Sequence, residues 1–590
     1  MKNKFYYLWM MAACVAMVAC EKPVEPKPDP DPQDTTQVNP QDTTEVYVPK
    51  TEWEKADSAY TIADWTIPSH TAFSYTVKAC SVDPSEENLE AMRKAITELV
   101  PKEYPYCMVA TINGDPKTRM GFAWFTNDGV LDGEVQLIAM EDATEEDFNS
   151  KNGVITIPAE AQQTKDLRYC GICQYAVASF YIAKSQRYRY TSHKALAENL
   201  TPGTVYSWRV GYGDYWSPIA QFRTQDASQE EFSFIYMTDS HIMNPEYISF
   251  ARRCALAAVK TVPEAKFCVF PGDFVEDGTV ANSEWEWERW FEEALEPVIK
   301  RMPIVPTDGN HDDSPNINYT YHFNSDNTFN HTVTGKPQFE GITYSFVYGD
   351  ALFLVFSMQD FWRYEYSYVD WNSVYLTDHL GSWFRQETMK NPNTKYRISL
   401  AHFNLFSGSD HSTDEEPPLF RACMLPTFKA CEIDVALQGH DHTYEVIGPV
   451  NPDNCTPILD AITDREEVGV DRNKNMTGYK GGTYRTDEGT LYFIGATCGR
   501  KKYYPHSREK MENDYVPTSE VKKGKHNVEN YFDLFTGMFG QPERPSFTKI
   551  TVKEDCIEFN SYTADNNEGD VTLINTMKVV RTKAHGVPGM

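Results

Sequence analysis

The sequence predicts a multi-domain protein in which an all-β sandwich precedes an α/β domain. Three observations carry this expectation. The 590 residues are too many for a single unit, since domains run to roughly 100–200 residues. Residues 102–225 fall into short segments of alternating apolar and polar character, separated by turn signals. From Glu231 onward, apolar strand-like runs alternate with helical periodicity, the pattern of parallel strands joined by helical crossovers.

At the N-terminus, Lys2 and Lys4 precede the apolar run Phe5–Ala19, which is too short to span a bilayer comfortably and reads as a signal peptide over 1–19. Ala19 followed by Cys20 resembles a bacterial lipobox, which implies cleavage before Cys20 and lipid attachment to its thiol. Residues 20–50 are rich in Pro, Asp, Thr and Gln, with Pro-Gln-Asp-Thr-Thr at 32–36 and again at 40–44. Such a composition forms no core and reads as an extended tether. The expectation is an exported bacterial lipoprotein at the outer membrane, on the periplasmic face or the cell surface, meeting the membrane only through its lipid.

Residues 51–101 read as a small helical or mixed preface. Asp83-Pro84-Ser85-Glu86 supplies a helix start, Leu89, Met92, Ile96 and Leu99 follow at helical spacing, and Pro101 ends the run. In 102–225 the strand-like segments are Tyr106–Ile112, Met120–Phe125, Glu134–Ile138 and Tyr206–Val210, with turns at 113–116 and 127–129. The stretch Leu200–Gly211 resembles the late strands of fibronectin type III modules, which implies a spacer without chemistry of its own. The region 230–585 opens with a strand at Phe232–Met237, a helix at Pro245–Val262 and a strand at Phe267–Phe270. A right-handed crossover of this kind places Asp239 and Asp273 past the carboxyl ends of neighbouring strands, where open α/β sheets hold ligands. Alternation around Phe547–Tyr562 suggests further strands of the same sheet.

Lys and Arg number 55 against 85 Asp and Glu, for a net charge of −30. That balance argues against binding a nucleic-acid polymer, which needs a basic footprint. It leaves room for a small phosphorylated substrate held through metal ions, because a bound cation dominates its local field. The chain has 13 cysteines, and setting aside Cys14 and Cys20 leaves an odd number, so not all can pair. Cys170 and Cys173 read as a local disulfide or two core thiols, and Cys254, Cys268 and Cys498 as buried free thiols.

Five short motifs carry the chemistry: Asp239-Ser240-His241, Gly272-Asp273, Gly309-Asn310-His311-Asp312, His402, and Gly439-His440-Asp441-His442. Each follows an apolar strand-like run or a turn glycine. Asp239 and Asp273, Asn310, and His241, His402, His440 and His442 provide mixed oxygen and nitrogen donors, which suit two divalent ions such as Zn, Fe or Mn. Two-residue spacing in extended backbone would aim Asp239 and His241, and likewise His440 and His442, in one direction.

The ordered set resembles the calcineurin-like metallophosphoesterase family, and Gly-His-Asp-His-Thr-Tyr-Glu at 439–445 together with the preceding sandwich looks most like purple acid phosphatases. The resemblance implies a four-layer α/β/β/α catalytic domain. It implies one metal held by Asp239, His241, Asp273 and His442, and a second by Asp273, Asn310, His402 and His440. It further implies catalytic roles for His311 and for His411, nine residues after His402. Asp312, next to His311, is expected to orient it, since a carboxylate fixes a tautomer. The other reading of His411 is a surface-loop residue. Where purple acid phosphatases carry a tyrosinate ligand, this sequence has Glu276, and His241 takes the third place of their Asp-x-Gly motif. A neutral imidazole then replaces an anionic phenolate, so a divalent pair is expected, with Glu276 solvated or behind the ligands. His322, His331 and His379 read as structural or solvated. Aromatic insertions at 313–340 and 358–375, including Arg363, read as either a sugar- or base-stacking surface or a packed lid.

The implied activity is hydrolysis of phosphomonoesters by a metal-activated hydroxide attacking phosphorus in line. The alternatives are a phosphodiesterase acting on nucleotides or phospholipid head groups, and a surface-binding protein on the same scaffold without catalysis.

Overall fold

The computed structural model describes residues 104–586, apart from 128, 165–189, 229–230, 244, 277–283, 313–317, 330, 334–335, 339–340, 359–373, 415, 451–481, 488 and 505–534. The signal peptide, Cys20, the tether, the preface at 51–101, the Cys170 and Cys173 pair and Arg363 with its aromatic neighbours lie outside the described residues. All described residues fall within one unit, Ala59–Met590.

The first strands are β1 Tyr106–Thr111, β2 Met120–Asn127, β3 Glu134–Ile138, β4 Val154–Pro158, β5 Glu160–Gln163, β6 Tyr190–Ala197, β7 Val205–Tyr212, β8 Tyr215–Trp216 and β9 Ala220–Arg223. They form two sheets, β1-β2-β6-β5 and β4-β3-β7-β8 with β9 on β7. Phe122, Trp124, Val135, Leu137, Trp208 and Phe222 fill the space between them. In β1 and β2 alternate residues enter this core, while Val109, Ala123 and Phe125 face the core under the helices, so both strands are buried on both faces.

The catalytic region continues with β10 Phe232–Tyr236, β11 Cys268–Pro271, β12 Ile304–Thr307, a hairpin β13 His331–Val333 and β14 Lys336–Gln338, β15 Tyr344–Tyr348, β16 Ala351–Val355, β17 Tyr396–Leu400, β18 Val435–Gln438, β19 Tyr444–Val450, β20 Thr483–Arg485, β21 Thr490–Gly495, β22 Phe535–Gly540, β23 Ser546–Val552, β24 Ile557–Ala564 and β25 Val571–Val580. Strands β15-β16-β17-β18-β21-β19-β22 make a seven-stranded sheet. The other sheet, of eleven strands, runs β20-β25-β24-β23-β10-β11-β12-β1-β2-β6-β5. It therefore includes half of the N-terminal sandwich: β1 pairs in parallel with β12 through Thr111 and Ile304. The C-terminal strands join this same sheet through β23 against β10.

Strand β10 is buried on both faces, as a central strand must be. Phe232, Phe234 and Tyr236 point into the core shared with the second sheet, and Ile235 into the core under the helices. Between the sheets, Phe234 meets Phe353 at 5.5 Å and Phe267 meets Phe346 at 5.9 Å between ring centroids. A helix, α1 Pro245–Thr261, covers the outer face of the first sheet with Ile248, Ala251, Cys254, Ala255 and Ala258, an apolar stripe at helical spacing. The small alanines let it approach closely. Helices α2 Gly381–Lys390 and α3 Glu416–Ala430 cover the second sheet, with Phe384 and Phe428 in contact at 5.6 Å. The result is the expected four-layer α/β/β/α arrangement. Among the described residues Cys254, Cys268, Cys423, Cys431, Cys498 and Cys556 are buried free thiols, and Cys107 is buried. No described helix is long and apolar enough to cross a membrane.

The sandwich is bonded to the α/β part rather than tethered to it. The Cys107 amide donates to Glu292 Oε1 at 2.6 Å, Ser192 Oγ to the Tyr321 carbonyl at 2.8 Å and Asn324 Nδ2 to the Ala195 carbonyl at 2.8 Å. Phe125 stacks on His322 at 4.4 Å, which makes that histidine a packing residue.

His193 on β6 makes the fold sensitive to acid. It lies stacked on Trp124 at 5.2 Å, with Nε2 2.8 Å from Thr126 Oγ1. Burial pushes it from 6.5 down to about 4, against the weaker opposing pull of the Val130 carbonyl and Asp132. Above pH 6.5 both folded and unfolded chains hold it neutral, and it costs nothing. Between pH 6.5 and about 4 only the unfolded chain takes up the proton, so stability falls as pH falls, by about 3 kcal/mol in all. His193→Gln is expected to flatten that slope in urea unfolding measured from pH 7 to pH 4. An unchanged slope would show that His193 is charged in the fold.

Candidate metal centre

The candidate ligands stand on loops leaving the carboxyl ends of parallel strands in both large sheets. Asp239 and His241 follow β10, Asp273 follows β11 and Asn310 follows β12. His402 follows β17, and His440 and His442 follow β18. Parallel strands leave all these loops at one edge, which gathers donors from distant parts of the chain.

The reason Asp239 and His241 converge differs from the one expected. They are not extended: φ is +57° at Asp239 and +46° at His241, in the left-handed region, as are Asp273 at +51° and His440 at +72°. Each such non-glycine residue costs on the order of 1–3 kcal/mol and persists only where neighbours over-determine it. Here Thr497 Oγ1 donates to the Asp239 carbonyl at 2.6 Å, the His440 amide donates to Asp239 Oδ1 at 3.1 Å and the His241 amide to the Asp273 carbonyl at 3.1 Å. Two glycines serve different needs. Gly272 has φ +81°, and an added Cβ would also stand 2.6 Å from the Gly309 Cα. Gly309 is needed for close approach, since its Cβ would lie 2.2 Å from Asp273 N and Oδ1.

Two donor sets share one carboxylate. In the first, His442 Nε2 is 3.3 Å from Asp239 Oδ1 and 3.0 Å from His241 Nε2, and His241 Nε2 is 3.3 Å from Asp273 Oδ2. In the second, His402 Nε2 is 3.2 Å from the same Asp273 Oδ2 and 3.0 Å from Asn310 Oδ1, with a His440 nitrogen within 4.8 Å of both His402 and Asp273. The Asp and His members are all buried.

Proton accounting shows what these sets fit. His402 Nδ1 donates to the Pro271 carbonyl at 2.8 Å, and His241 Nδ1 lies 2.6 Å from Glu276 Oε2, which can only accept. With Nδ1 as the donor, a neutral His241 or His402 turns its Nε2 lone pair towards a carboxylate oxygen, and His402 also towards the Asn310 amide oxygen. Facing lone pairs at about 3 Å repel unless positive charge lies among them. The electrostatics agree. Burial pushes His241 down to about 4. Burial also opposes charge on His402, but Asp273 and Asp239 outweigh it and lift that ring to about 10. Burial would raise Asp273, yet His402, His311 and His241 hold it well below the ordinary carboxylate range. A proton on His402 stands in for the cationic charge that the two carboxylates demand, and the donors fit two divalent ions.

His311 lies beside the first set, its ring 4.7 Å from that of His241. Its amide donates to Asp273 Oδ1 at 3.0 Å and its Nδ1 donates to the Glu276 carbonyl at 2.5 Å. The expectation that Asp312 orients His311 is corrected. Asp312 accepts from the amides of Gly309 at 2.7 Å, Asp273 at 2.8 Å, Phe274 at 2.8 Å and Val275 at 3.3 Å, so it clamps two ligand loops together. Glu276 is not solvated: it is 7% exposed and sits behind His241. His411 reaches the second set, stacked on His440 at 3.8 Å, with its amide donating to Asp441 Oδ1 at 3.1 Å and Nδ1 to Asp414 Oδ2 at 2.6 Å.

Sequence reasoning passed over Asp414, Asp441, Lys501 and Tyr503. Asp441 was visible inside the His440–His442 motif and holds the His411 loop, also accepting from Ser407 Oγ. Tyr503, stacked on His442 at 4.4 Å, follows β21 in a stretch with no motif, and nothing local marks it. His379 belongs to the helical turn Val374–Leu380, remote from these motifs in sequence, and the side chain of His331 lies outside the described residues.

Residues 232–444 match the calcineurin-like phosphoesterase family, and residues 105–224 match the purple acid phosphatase N-terminal domain. An uncharacterised protein of Mycobacterium tuberculosis is 23% identical over 310 residues, 48% of this chain and 56% of that protein. "Probable inactive purple acid phosphatase 1" of Arabidopsis thaliana is 25% identical over 292 residues, 45% of each chain. The chain thus spans about half the length of the curated relatives it matches. The structure of a purple acid phosphatase from yellow lupin (Lupinus luteus) seeds superposes with a TM-score of 0.53 at 13% identity, covering 81% of this chain and 75% of that one, a likeness of fold.

Proposed function

We propose that this chain, whose residues 232–444 belong to the calcineurin-like phosphoesterase family, hydrolyses phosphate monoesters at a pair of divalent cations. The observation that carries this reading is the pair of buried donor sets meeting at Asp273 Oδ2. Asp239, His241, Asp273 and His442 would hold one ion, and Asp273, Asn310, His402 and His440 the other. Such a pair, when bound, acidifies water and neutralises phosphoryl charge. The protein groups complete the site. His311, anchored through Nδ1, keeps Nε2 for a phosphoryl oxygen. His411, anchored through Nδ1 by Asp414, would give a proton to the leaving oxygen from Nε2 as the imidazolium, a form that the bond to Asp414 favours. All seven expected donors are present, which favours catalysis over a purely binding role.

The test measures bound metal together with turnover of 4-nitrophenyl phosphate and bis(4-nitrophenyl) phosphate. About two ions per chain and faster cleavage of the monoester support the proposal. Faster cleavage of the diester would reassign it to a phosphodiesterase. No bound ion and no turnover with added Zn, Mn or Fe would sink it.

The proposal extends to place and partners: an exported lipoprotein anchored through Cys20, acting on a small phosphorylated substrate rather than a nucleic-acid polymer. Its support is the apolar run ending at Ala19-Cys20 and the net charge of −30. Cys20→Ser is expected to shift the protein from the membrane to the soluble fraction. A membrane-bound variant would remove the anchor.

A further inference from the structure

We infer that Glu276 is a positioning residue for the metal centre, holding a ligand imidazole with its side chain and the substrate-facing His311 with its backbone. The inference rests on the dinuclear reading above. Its Oε2 lies 2.6 Å from His241 Nδ1 and its carbonyl accepts from His311 Nδ1 at 2.5 Å. The residue is itself held on several sides. Its amide lies 3.2 Å from both the Ile242 carbonyl and Glu286 Oε2, and Oε1 is 3.5 Å from Lys501 Nζ.

A carboxylate behind a ligand imidazole does two things. It keeps the proton on Nδ1, so Nε2 carries the lone pair, and it raises the basicity of that lone pair. Losing such a partner typically costs about 10–100-fold in metal affinity. In Gly-Asp-Phe-Val-Glu the carboxylate stands three residues after Asp273, whose Oδ2 is shared by the two donor sets. Glu276 is directed at His241 Nδ1, the side of the ring away from the donor set. Negative charge is thereby moved one ring outward: His241 supplies the bond and Glu276 tunes it. Lys501, a quarter exposed at its side chain, balances the far oxygen. Because His311 is held by a carbonyl, side-chain substitution at 276 perturbs His241 and leaves His311 anchored.

The experiment titrates the metal-free full chain with Co(II), followed by calorimetry and by visible absorption, which reports coordination geometry. Glu276→Ala is expected to weaken one of two binding events by about 10–100-fold and alter its absorption, with the other event unchanged. Glu276→Gln, whose amide oxygen still accepts from Nδ1, is expected to recover part of the loss. Unchanged affinity at both events in Glu276→Ala overturns the inference while leaving the dinuclear reading in place. Equal weakening of both events with a lower unfolding midpoint of the metal-free chain also overturns it, by showing a general structural role. A wild-type chain that takes up no Co(II) overturns the dinuclear reading and this inference with it.

Discussion

Asp273→Ala is expected to lower bound metal from about two ions to at most one and to cut phosphomonoester turnover by at least about a thousandfold. One oxygen explains the size of the effect. Asp273 Oδ2 faces His241 Nε2 at 3.3 Å and His402 Nε2 at 3.2 Å, so its removal takes a donor from both sets at once. The other side chains each serve one set. The metal-free variant is also expected to be less stable than the wild type. Asp273 raises Asp239, but His402, His311 and His241 hold Asp273 itself well below the ordinary carboxylate range, so its ionised form is favourable in the fold. Metal content and turnover are therefore compared under conditions where urea unfolding shows the variant to be folded. With His402 relieved of its main partner, the raised affinity of that ring for a proton should also fall, which NMR of the metal-free chain would show. A variant that keeps two ions and ordinary turnover would dismiss Asp273 as the shared ligand.

Asp312→Ala is expected to destabilise the metal-free chain by about 3–5 kcal/mol, measured by urea unfolding. Four backbone amides, of Gly309, Asp273, Phe274 and Val275, converge on its two oxygens inside the protein. Each buried amide left without an acceptor costs about 1–3 kcal/mol, and the four are too close to add fully. Asp312→Asn keeps one acceptor oxygen but turns an NH2 towards amide hydrogens, so roughly half the loss is expected. Metal affinity should fall in both variants, because the clamp joins the loops bearing Asp273 and Asn310. Full stability in Asp312→Ala with turnover alone reduced would restore the role of orienting His311.

The chain's own order of residues determined much of this protein. The candidate donors are Asp, Asn and His, side chains that bind such cations, and they follow strand ends, where loops converge. Both facts are written locally, in Asp239-Ser240-His241, Gly272-Asp273 and Gly439-His440-Asp441-His442. The alternation of Glu134–Ile138 likewise specified a strand whose bounds match those observed. Tertiary structure decided the rest. Whether Asp312 faces a ring or four amides depends on the approach of β11 to β12, which Gly309 permits. Glu276 meets His241 across 35 positions of sequence, and Tyr503 meets its histidine only after β21 has taken its place beside β18. The joining of β1 to β12, which makes one sheet of two expected domains, rests on unpaired strand edges meeting in space. An edge carries no signature in its own residues, because backbone amides and carbonyls are the same in every strand. Side-chain chemistry and period are readable along the chain. The pairing of groups that any strand or carboxylate could supply is settled only by packing.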